Sequence, residues 1–361
     1  MEHESVYGTD MPVLVTPATV LVTGGAGFIG SHLCHALVAR GLRVRAFDNL
    51  STGALANLYG LEAEMDFVEA DVTDLGALTQ AMRGVDFVLH QAALPSVSRS
   101  IEQPLASHAA NATGTLNVLI AAHEAGVRRV VYASSSSVYG DSAALPKRES
   151  MAAAPISPYA AAKLAGEHYC HVFRHLHGLE VVVLRYFNVF GPRQDCGSPY
   201  AAVIPRFIKS LLAGEPPTVY GDGEQSRDFT YVGNVVQANL LALTVPDAAG
   251  GVFNIACQKA ITLNQLYRAV QGALQVIIPP RYAPARPGEA RHSLADISRA
   301  ESVLGYQPII DLQEGLQRTV RYWRGQDPQS AHGQEAIRSA GPRPAPSPLP
   351  LPRTRERSHT P

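Results

Sequence analysis

The stretch Val22-Thr23-Gly24-Gly25-Ala26-Gly27-Phe28-Ile29-Gly30-Ser31-His32-Leu33 limits what this chain can fold into more than any other. The apolar run Val20 to Val22 is short enough for a buried strand, and Phe28 to Arg40 reads as a helix with Leu33, Leu37 and Val38 on one face. Gly24, Gly27 and Gly30 therefore fall in a strand-to-helix turn. Gly24 allows the tight turn, Gly27 lets backbone amides approach a pyrophosphate, and Gly30 lets the helix lie close on a sheet. The phosphate would rest on the helix N-terminus, where free amides and the helix dipole favour an anion. A glycine-rich turn by itself often means only a turn. The following strand, Val44 to Phe47, ends in Asp48, which is placed to accept hydrogen bonds from ribose hydroxyls and to repel the extra phosphate of NADP. The two features together predict an NAD site.

The 361 residues, 46% of them hydrophobic, can bury a large core, predicting one α/β unit with a subsidiary lobe. A formal charge of -1 gives no electrostatic case for nucleic acid or an anionic membrane. Cys34, Cys170, Cys196 and Cys257 are scattered, without the close pairs of zinc or redox sites, and read as reduced thiols. No basic start leads into an apolar stretch and no run reaches membrane-helix length, so the expectation is a soluble cytoplasmic protein without a metal.

Further strands are expected around Phe67 and Val68, ending at Asp71-Val72, then at Val85 to Leu89 and at Val130 to Ala133. Asp71 could face an adenine. The N-cap role suits Asp74 better, ahead of a helix from Leu75 to Arg83. A helical pattern runs from Pro104 to Gly126. Strands alternating with helices at this spacing give a Rossmann-type, doubly wound parallel sheet, with ligands at the carboxyl ends of its strands. Polar residues gather there: the glycine turn, Asp48, His90 to Ser100 and Ser134 to Ser137. The small residues of Gln91-Ala92-Ala93 let the chain pass a pyrophosphate, and His90 reads as a structural hydrogen-bonding histidine.

Ser157-Pro158-Tyr159-Ala160-Ala161-Ala162-Lys163 opens another helix, with Pro158 in its first turn. Tyr159 and Lys163, four apart, share a face and meet the serine run at one end of the sheet. Taking the proton from an alcohol while hydride leaves its carbon needs a base. A free tyrosine, with pKa about 10, needs roughly 4 kcal/mol of phenolate stabilisation to act near pH 7. A nearby ammonium and a positive nicotinamide ring can supply it in a partly desolvated site. Lys163 would also hydrogen-bond the nicotinamide ribose, and Ser135 would hold the reacting oxygen.

Thr23 to Gly30, Asp48 and Asn49, Ser134 to Gly140, Tyr159 with Lys163, and Arg185-Tyr186-Phe187-Asn188-Val189-Phe190-Gly191 together resemble the extended short-chain dehydrogenase/reductases acting on nucleotide sugars, the NAD-dependent epimerase/dehydratase family. The resemblance runs from about Val20 to Trp323. It implies catalysis by Ser135, Tyr159 and Lys163. It implies NAD contacts from Gly24, Gly27, Phe28, Ile29, Gly30, Asp48, Asn49, Asp71, Val72, Gln91 and Ala92, with Tyr159 and Lys163. Where 4,6-dehydratases carry Asp-Glu this chain has Ser136-Ser137, and the glutamate of the decarboxylases is replaced by Ser137. The outcome so implied is reversible oxidation at C4, that is, epimerisation.

Tyr200 to Pro205, Tyr220 to Phe229 and Arg286 to Asp296 are similar to the UDP-N-acetylglucosamine 4-epimerases of bacterial polysaccharide pathways. That likeness implies diphosphate contacts from Asn188, Arg227 and Arg286, since guanidinium forks suit phosphate oxygens, and uridine contacts from Val203 and Tyr220. Ser293 stands where simple-hexose epimerases carry a pocket-closing tyrosine, and so leaves room for an N-acetyl group. Overpacking costs about 1 to 3 kcal/mol. Ser96, Ser136, Gln194 and Arg99 are further sugar contacts on the same basis. Glu289 in place of the usual Asp, and Pro95 in place of a glycine, depart from the pattern at the sugar and ribose contacts. Rival readings are a 4-epimerase of UDP-hexuronic or UDP-N-acetylhexosaminuronic acids, with Arg99 meeting the carboxylate, a net UDP-sugar reductase or dehydrogenase, and a non-catalytic NAD-sensing protein.

The expected organisation is a flexible leader over 1–17, a mainly NAD-binding domain over 18–187, and a mainly UDP-sugar-binding lobe over 188–325 with segments returning to the large sheet. A disordered proline-rich tail over 326–361 completes it. Val252 to Ala256 reads as a strand, Thr262 as the N-cap of a helix from Leu263 to Leu274, and Leu312 to Trp323 as a last amphipathic helix. The helices from Pro104 to Gly126 and Pro158 to His177 resemble those that pair in family homodimers.

Overall fold

The computed structural model describes residues 18–198, 200–285 and 291–325. The expected leader and tail, and the candidate residues Arg286 and Glu289, lie outside the described residues. The first half alternates strand and helix: β1 (Thr19–Thr23), α1 (Phe28–Val38), β2 (Arg43–Asp48), β3 (Met65–Glu69), α2 (Leu75–Ala81), β4 (Phe87–His90), α3 (Val97–Glu102), α4 (Pro104–His108), α5 (Gly114–Glu124), β5 (Arg129–Ser135), α6 (Pro158–His177) and β6 (Glu180–Tyr186). The apolar strands are buried on both sides, Val20 and Val22 facing one core and Leu21 the other, as parallel sheets covered by helices require.

The second half holds β7 (Val189–Phe190), α7 (Val203–Leu212), β8 (Thr218–Tyr220), β9 (Ser226–Asp228), β10 (Thr230–Tyr231), α8 (Val232–Thr244), β11 (Val252–Ile255), β12 (Ala260–Thr262), α9 (Leu263–Leu274), β13 (Arg281–Ala283) and α10 (Leu312–Trp323). Seven strands form one parallel sheet in the order β3-β2-β1-β4-β5-β6-β11, the Rossmann-type doubly wound arrangement. The direction of winding changes between β1 and β4, which opens a crevice at their carboxyl ends. A third core, with Phe190, Ile204, Phe207, Leu266, Val270 and Leu316, packs the α7, α9 and α10 region.

Several local expectations are met by visible caps. Asp74 accepts from Ala77 N at 3.0 Å, and Thr262 forms a reciprocal capping box with Gln265. Others need correction. The helix expected over Pro104 to Gly126 is interrupted by a π turn at Ala109–Thr113. The extra residue brings Asn111 against Leu94, whose N–H it accepts at 2.9 Å and whose carbonyl receives its amide at 3.3 Å. Strand β3 stops at Glu69, short of Asp71-Val72, because the Asp71 carboxylate folds the chain into a turn by accepting from Thr73 N and Oγ1 at 2.8 and 2.7 Å. Strand β5 runs on through Ser135, held by its register with β6, where Ser134 faces Arg185 and Ser135 faces Tyr186. Among the described residues no helix is long and apolar enough to cross a membrane, and no cluster of side chains suits a metal ion.

Candidate active site

The glycine turn between β1 and α1 is closed tightly. Gly24 takes φ 67° and donates to Phe47 O at 2.8 Å, while Gly27 N donates to Gly24 O at 3.0 Å. A Cβ on Gly30 would stand 2.0 Å from Gly24 O, and one on Gly24 would stand 2.8 Å from Ala92 N. No side chain larger than hydrogen fits either place. Helix α1 begins at Phe28 and Ile29 with no side-chain cap and no acidic residue in its first turn, leaving its positive end open to an anion. Asp48, at the end of β2, accepts from Ala26 N at 3.0 Å and from Leu50 N at 2.8 Å, and burial pushes its carboxyl upward. A carboxylate has about four acceptor sites, so this one keeps room for a ribose hydroxyl. The cradle fits a dinucleotide.

Around the cradle, Asn49 donates to Asp71 Oδ2 at 2.5 Å, and the carbonyl of buried Val72 accepts from Asn117 Nδ2 at 3.1 Å. Ala92 N donates to Thr23 Oγ1 at 3.2 Å. The Gln91 side chain is committed to a network with Asn239 and the Tyr186 hydroxyl, at 3.1 and 3.2 Å, tying the end of β4 to α8 and β6. His90 lies between Thr23 Oγ1, 2.7 Å from Nδ1, and Thr115 Oγ1, 2.9 Å from Nε2. Thr115 donates its own hydroxyl to Asn111 O, so Nε2 carries the histidine proton and Nδ1 accepts from Thr23. Burial, then the Lys163 charge, lowers this histidine to about 3. It is a neutral structural bridge, as the sequence suggests.

Ser157 caps α6 by accepting from Ala160 N at 3.2 Å, and the helix starts at Pro158. One turn places Tyr159 and Lys163 against the end of β5. Ser135 Oγ hydrogen-bonds Tyr159 and accepts from Ser137 N and Oγ at 3.2 and 2.9 Å. Ser136 begins the short 3-10 turn that follows. Lys163 is buried, donates from Nζ to Ala133 O at 2.9 Å, and stands 5.1 Å from the centre of the Tyr132 ring. Burial lowers it to about 8. Half-buried Tyr159 departs from the lowered phenol expected of it: desolvation raises it, and the Ser135 hydrogen bond only partly offsets this. A lowered phenol would need positive charge brought to it, because Lys163 is turned to Ala133 O.

The candidate sugar and nucleotide residues fall in two groups. Ser96 caps α3, accepting from Arg99 N at 3.1 Å, and the Arg99 guanidinium lies 4.8 Å over the Tyr200 ring. Asn188, at φ 35°, donates to Asp228 O at 3.1 Å, linking β6 to β9. Arg227 donates to Ser226 O and Arg291 O at 2.9 and 3.1 Å. Ser293 N donates to Ser226 O at 3.0 Å, which brings Ser293 beside Arg227. Val203 starts α7, the Tyr220 ring receives Arg206 at 5.2 Å, and Gln194 Oε1 is buried without a partner, an acceptor left for a ligand. Sequence reasoning gave no separate role to Thr23 or to the Ser134–Glu167–Arg185 set, and read Ser137 only as the place of an absent acid. Only the spacing of Glu167, four after Lys163, hinted at that set.

The fold and the glycine cradle define a dinucleotide-dependent protein, with a serine, a tyrosine and a lysine gathered at the ends of its parallel strands. The chain belongs to the NAD dependent epimerase/dehydratase family, whose model matches residues 20–256. It is a 4-epimerase that uses NAD. It is similar to the UDP-glucose 4-epimerase of Mycolicibacterium smegmatis, 41% identical over 84% of this chain and 98% of that one. Among solved structures it is similar to a UDP-N-acetylglucosamine 4-epimerase from Methanobrevibacter ruminantium in complex with UDP-N-acetylmuramic acid, with 42% identity, TM-score 0.82, and 86% and 99% of the two chains covered. It is also similar to the Thermus thermophilus UDP-glucose 4-epimerase complex with NAD, with 38% identity, TM-score 0.79, and 85% and 99% covered.

Proposed function

We propose that this enzyme interconverts UDP-N-acetylglucosamine and UDP-N-acetylgalactosamine through a 4-keto sugar. In this reading Ser293 carries the choice of sugar: its side chain is small and half-buried, and its N–H bonds to the carbonyl of Ser226, the residue before Arg227. The likeness to the Methanobrevibacter ruminantium enzyme supports the same reading. In this reading Tyr159, as phenolate, takes the proton of the 4-hydroxyl, and Ser135 holds the oxygen by hydrogen bonding. Lys163 holds positive charge next to the site. The glycine turn and Asp48 would hold NAD, which would supply a reversible hydride acceptor for C4, the hydride returning to the opposite face of the turned sugar. Tyr159 then gives the proton back, so the reaction is redox-neutral. Asn188, Arg227 and Arg286 bind the diphosphate, Val203 and Tyr220 the uridine, and Ser96, Ser136, Gln194 and Glu289 the sugar.

A proton NMR time course with UDP-N-acetylglucosamine and no added cofactor tests this. Growth of the UDP-N-acetylgalactosamine anomeric signal to a steady ratio is expected. No conversion by protein shown to hold NAD, together with turnover of UDP-glucuronate, would move the assignment to the uronic acids, with Arg99 meeting the carboxylate. The same proposal includes a homodimer in the cytoplasm, paired through the helical stretch over Pro104 to Gly126, which holds α4 and α5, and through α6, where Leu105 and Leu176 stand exposed.

A further inference from the structure

Next to the lysine of the site lies a buried ion pair that the proposed mechanism leaves without a role. Glu167, one turn after Lys163 on α6, accepts from Arg185 Nε at 2.9 Å and Nη2 at 2.7 Å, and from the Ser134 hydroxyl. Both charged side chains are buried, as a bidentate pair linking α6 to β6. Such a pair is weak evidence of stabilisation, since well-packed apolar residues often serve as well. Its placement is more telling. Ser134 precedes Ser135 on β5, so one carboxylate joins the strand that carries the serine to the helix that carries Tyr159 and Lys163. Gly166, between Lys163 and Glu167, permits this closeness, because a Cβ there would lie 2.3 Å from the Tyr132 hydroxyl.

The charged and titratable groups around Lys163 come from four elements: Tyr159, Glu167 and Cys170 on α6, Tyr132 on β5, His90 on β4 and, bonded to Glu167, Arg185 on β6. Burial lowers the lysine to about 8, and Cys170 and Glu167 act in the other direction. The Cys170 thiol and the Tyr132 phenol are pushed up by their own burial and stay neutral, and His90 at about 3 is neutral too. The Glu167 carboxylate is paired with the Arg185 guanidinium, the one other charged group behind it.

We propose that Glu167 is a positioning residue of the epimerase: clamped by Arg185 and Ser134, its carboxylate keeps Lys163 in the ammonium form on which proton transfer at Tyr159 depends. The role rests on the epimerase reading but on no particular sugar. The chain has only four lysines, Lys147, Lys163, Lys209 and Lys259, so lysine labelled with carbon-13 at Cε gives a four-signal spectrum of the holoenzyme, assigned with Lys163→Arg. In the wild type the Lys163 signal titrates near pH 8. In Glu167→Gln the midpoint falls by about one pH unit or more, the size of one close charge, and the alkaline limb of the kcat profile falls with it. Glu167→Asp, which keeps the charge, restores most of the midpoint. An unmoved midpoint in a well-dispersed Glu167→Gln spectrum would overturn the role and leave the ion pair purely structural. Should that variant fail to fold, the Glu167→Gln/Arg185→Met pair is read against Arg185→Met, so that the difference isolates the carboxylate, and equal midpoints in the two would overturn the role. The titration reads Lys163 without turnover, so a wild type inactive on every UDP-sugar would refute the function alone.

Discussion

Ser293 and Tyr159 separate the two questions that single residues answer here, which sugar is used and how the proton moves. Ser293→Tyr should lower kcat/KM for UDP-N-acetylglucosamine by about 5- to 150-fold while sparing UDP-glucose, as overpacking of about 1 to 3 kcal/mol implies; paired kinetics on the two sugars check it. Tyr159→Phe should cut turnover by about 10² to 10⁴ and leave NAD bound, read as activity against the absorbance of released cofactor. In the free protein, burial raises the Tyr159 phenol and lowers Lys163 to about 8, so the pair of phenolate and ammonium is a minor form until the complex assembles. The residue types and spacing of Ser135, Tyr159 and Lys163 were legible in the sequence. The direction of the Tyr159 shift was not, because it depends on where Lys163 Nζ points.

At the scale of elements, the β1–β4 junction and the α6–β5 contact decide whether the site forms. Burial holds His90 at about 3 and half-buried His35 at about 4, both below an unfolded value near 6.5. Between about pH 6.5 and 4 the unfolded chain binds more protons, so stability is complete above 6.5 and falls as the medium is acidified. Thermal melting at a series of pH values should show this decline, and His35→Gln should flatten part of it. Gly166→Ala should push α6 off β5, costing about 1 to 3 kcal/mol of stability and lowering kcat; denaturant unfolding and kinetics read the two effects. Helix starts at Asp74, Ser157 and Thr262 could be read in advance because a cap is a local hydrogen bond. The π turn at Ala109–Thr113 could not, since its cause is Asn111 reaching Leu94, outside the helix.

At the scale of the whole molecule, a seven-stranded sheet carries the cofactor cradle, and a separate apolar core packs the region that carries Val203, Tyr220 and Arg227. The proposed homodimer predicts that Leu105→Arg with Leu176→Arg yields a monomer in sedimentation velocity, with the wild type sedimenting as a dimer. The order of apolar strands, glycine turn, Asp48 and the Ser157-to-Lys163 stretch determined by themselves a parallel doubly wound sheet with a glycine cradle suited to a dinucleotide at its switch point. Those signals are local and periodic, and each strand's two apolar faces leave one way to be covered. Tertiary structure alone decided that the Gln91 side chain braces α8, that Ser293 sits beside Arg227, and that Ser134, Glu167 and Arg185 meet beside Lys163. These contacts join residues 18 to 148 positions apart, and no sequence periodicity encodes a pairing between side chains whose approach is fixed by how a helix settles on a sheet.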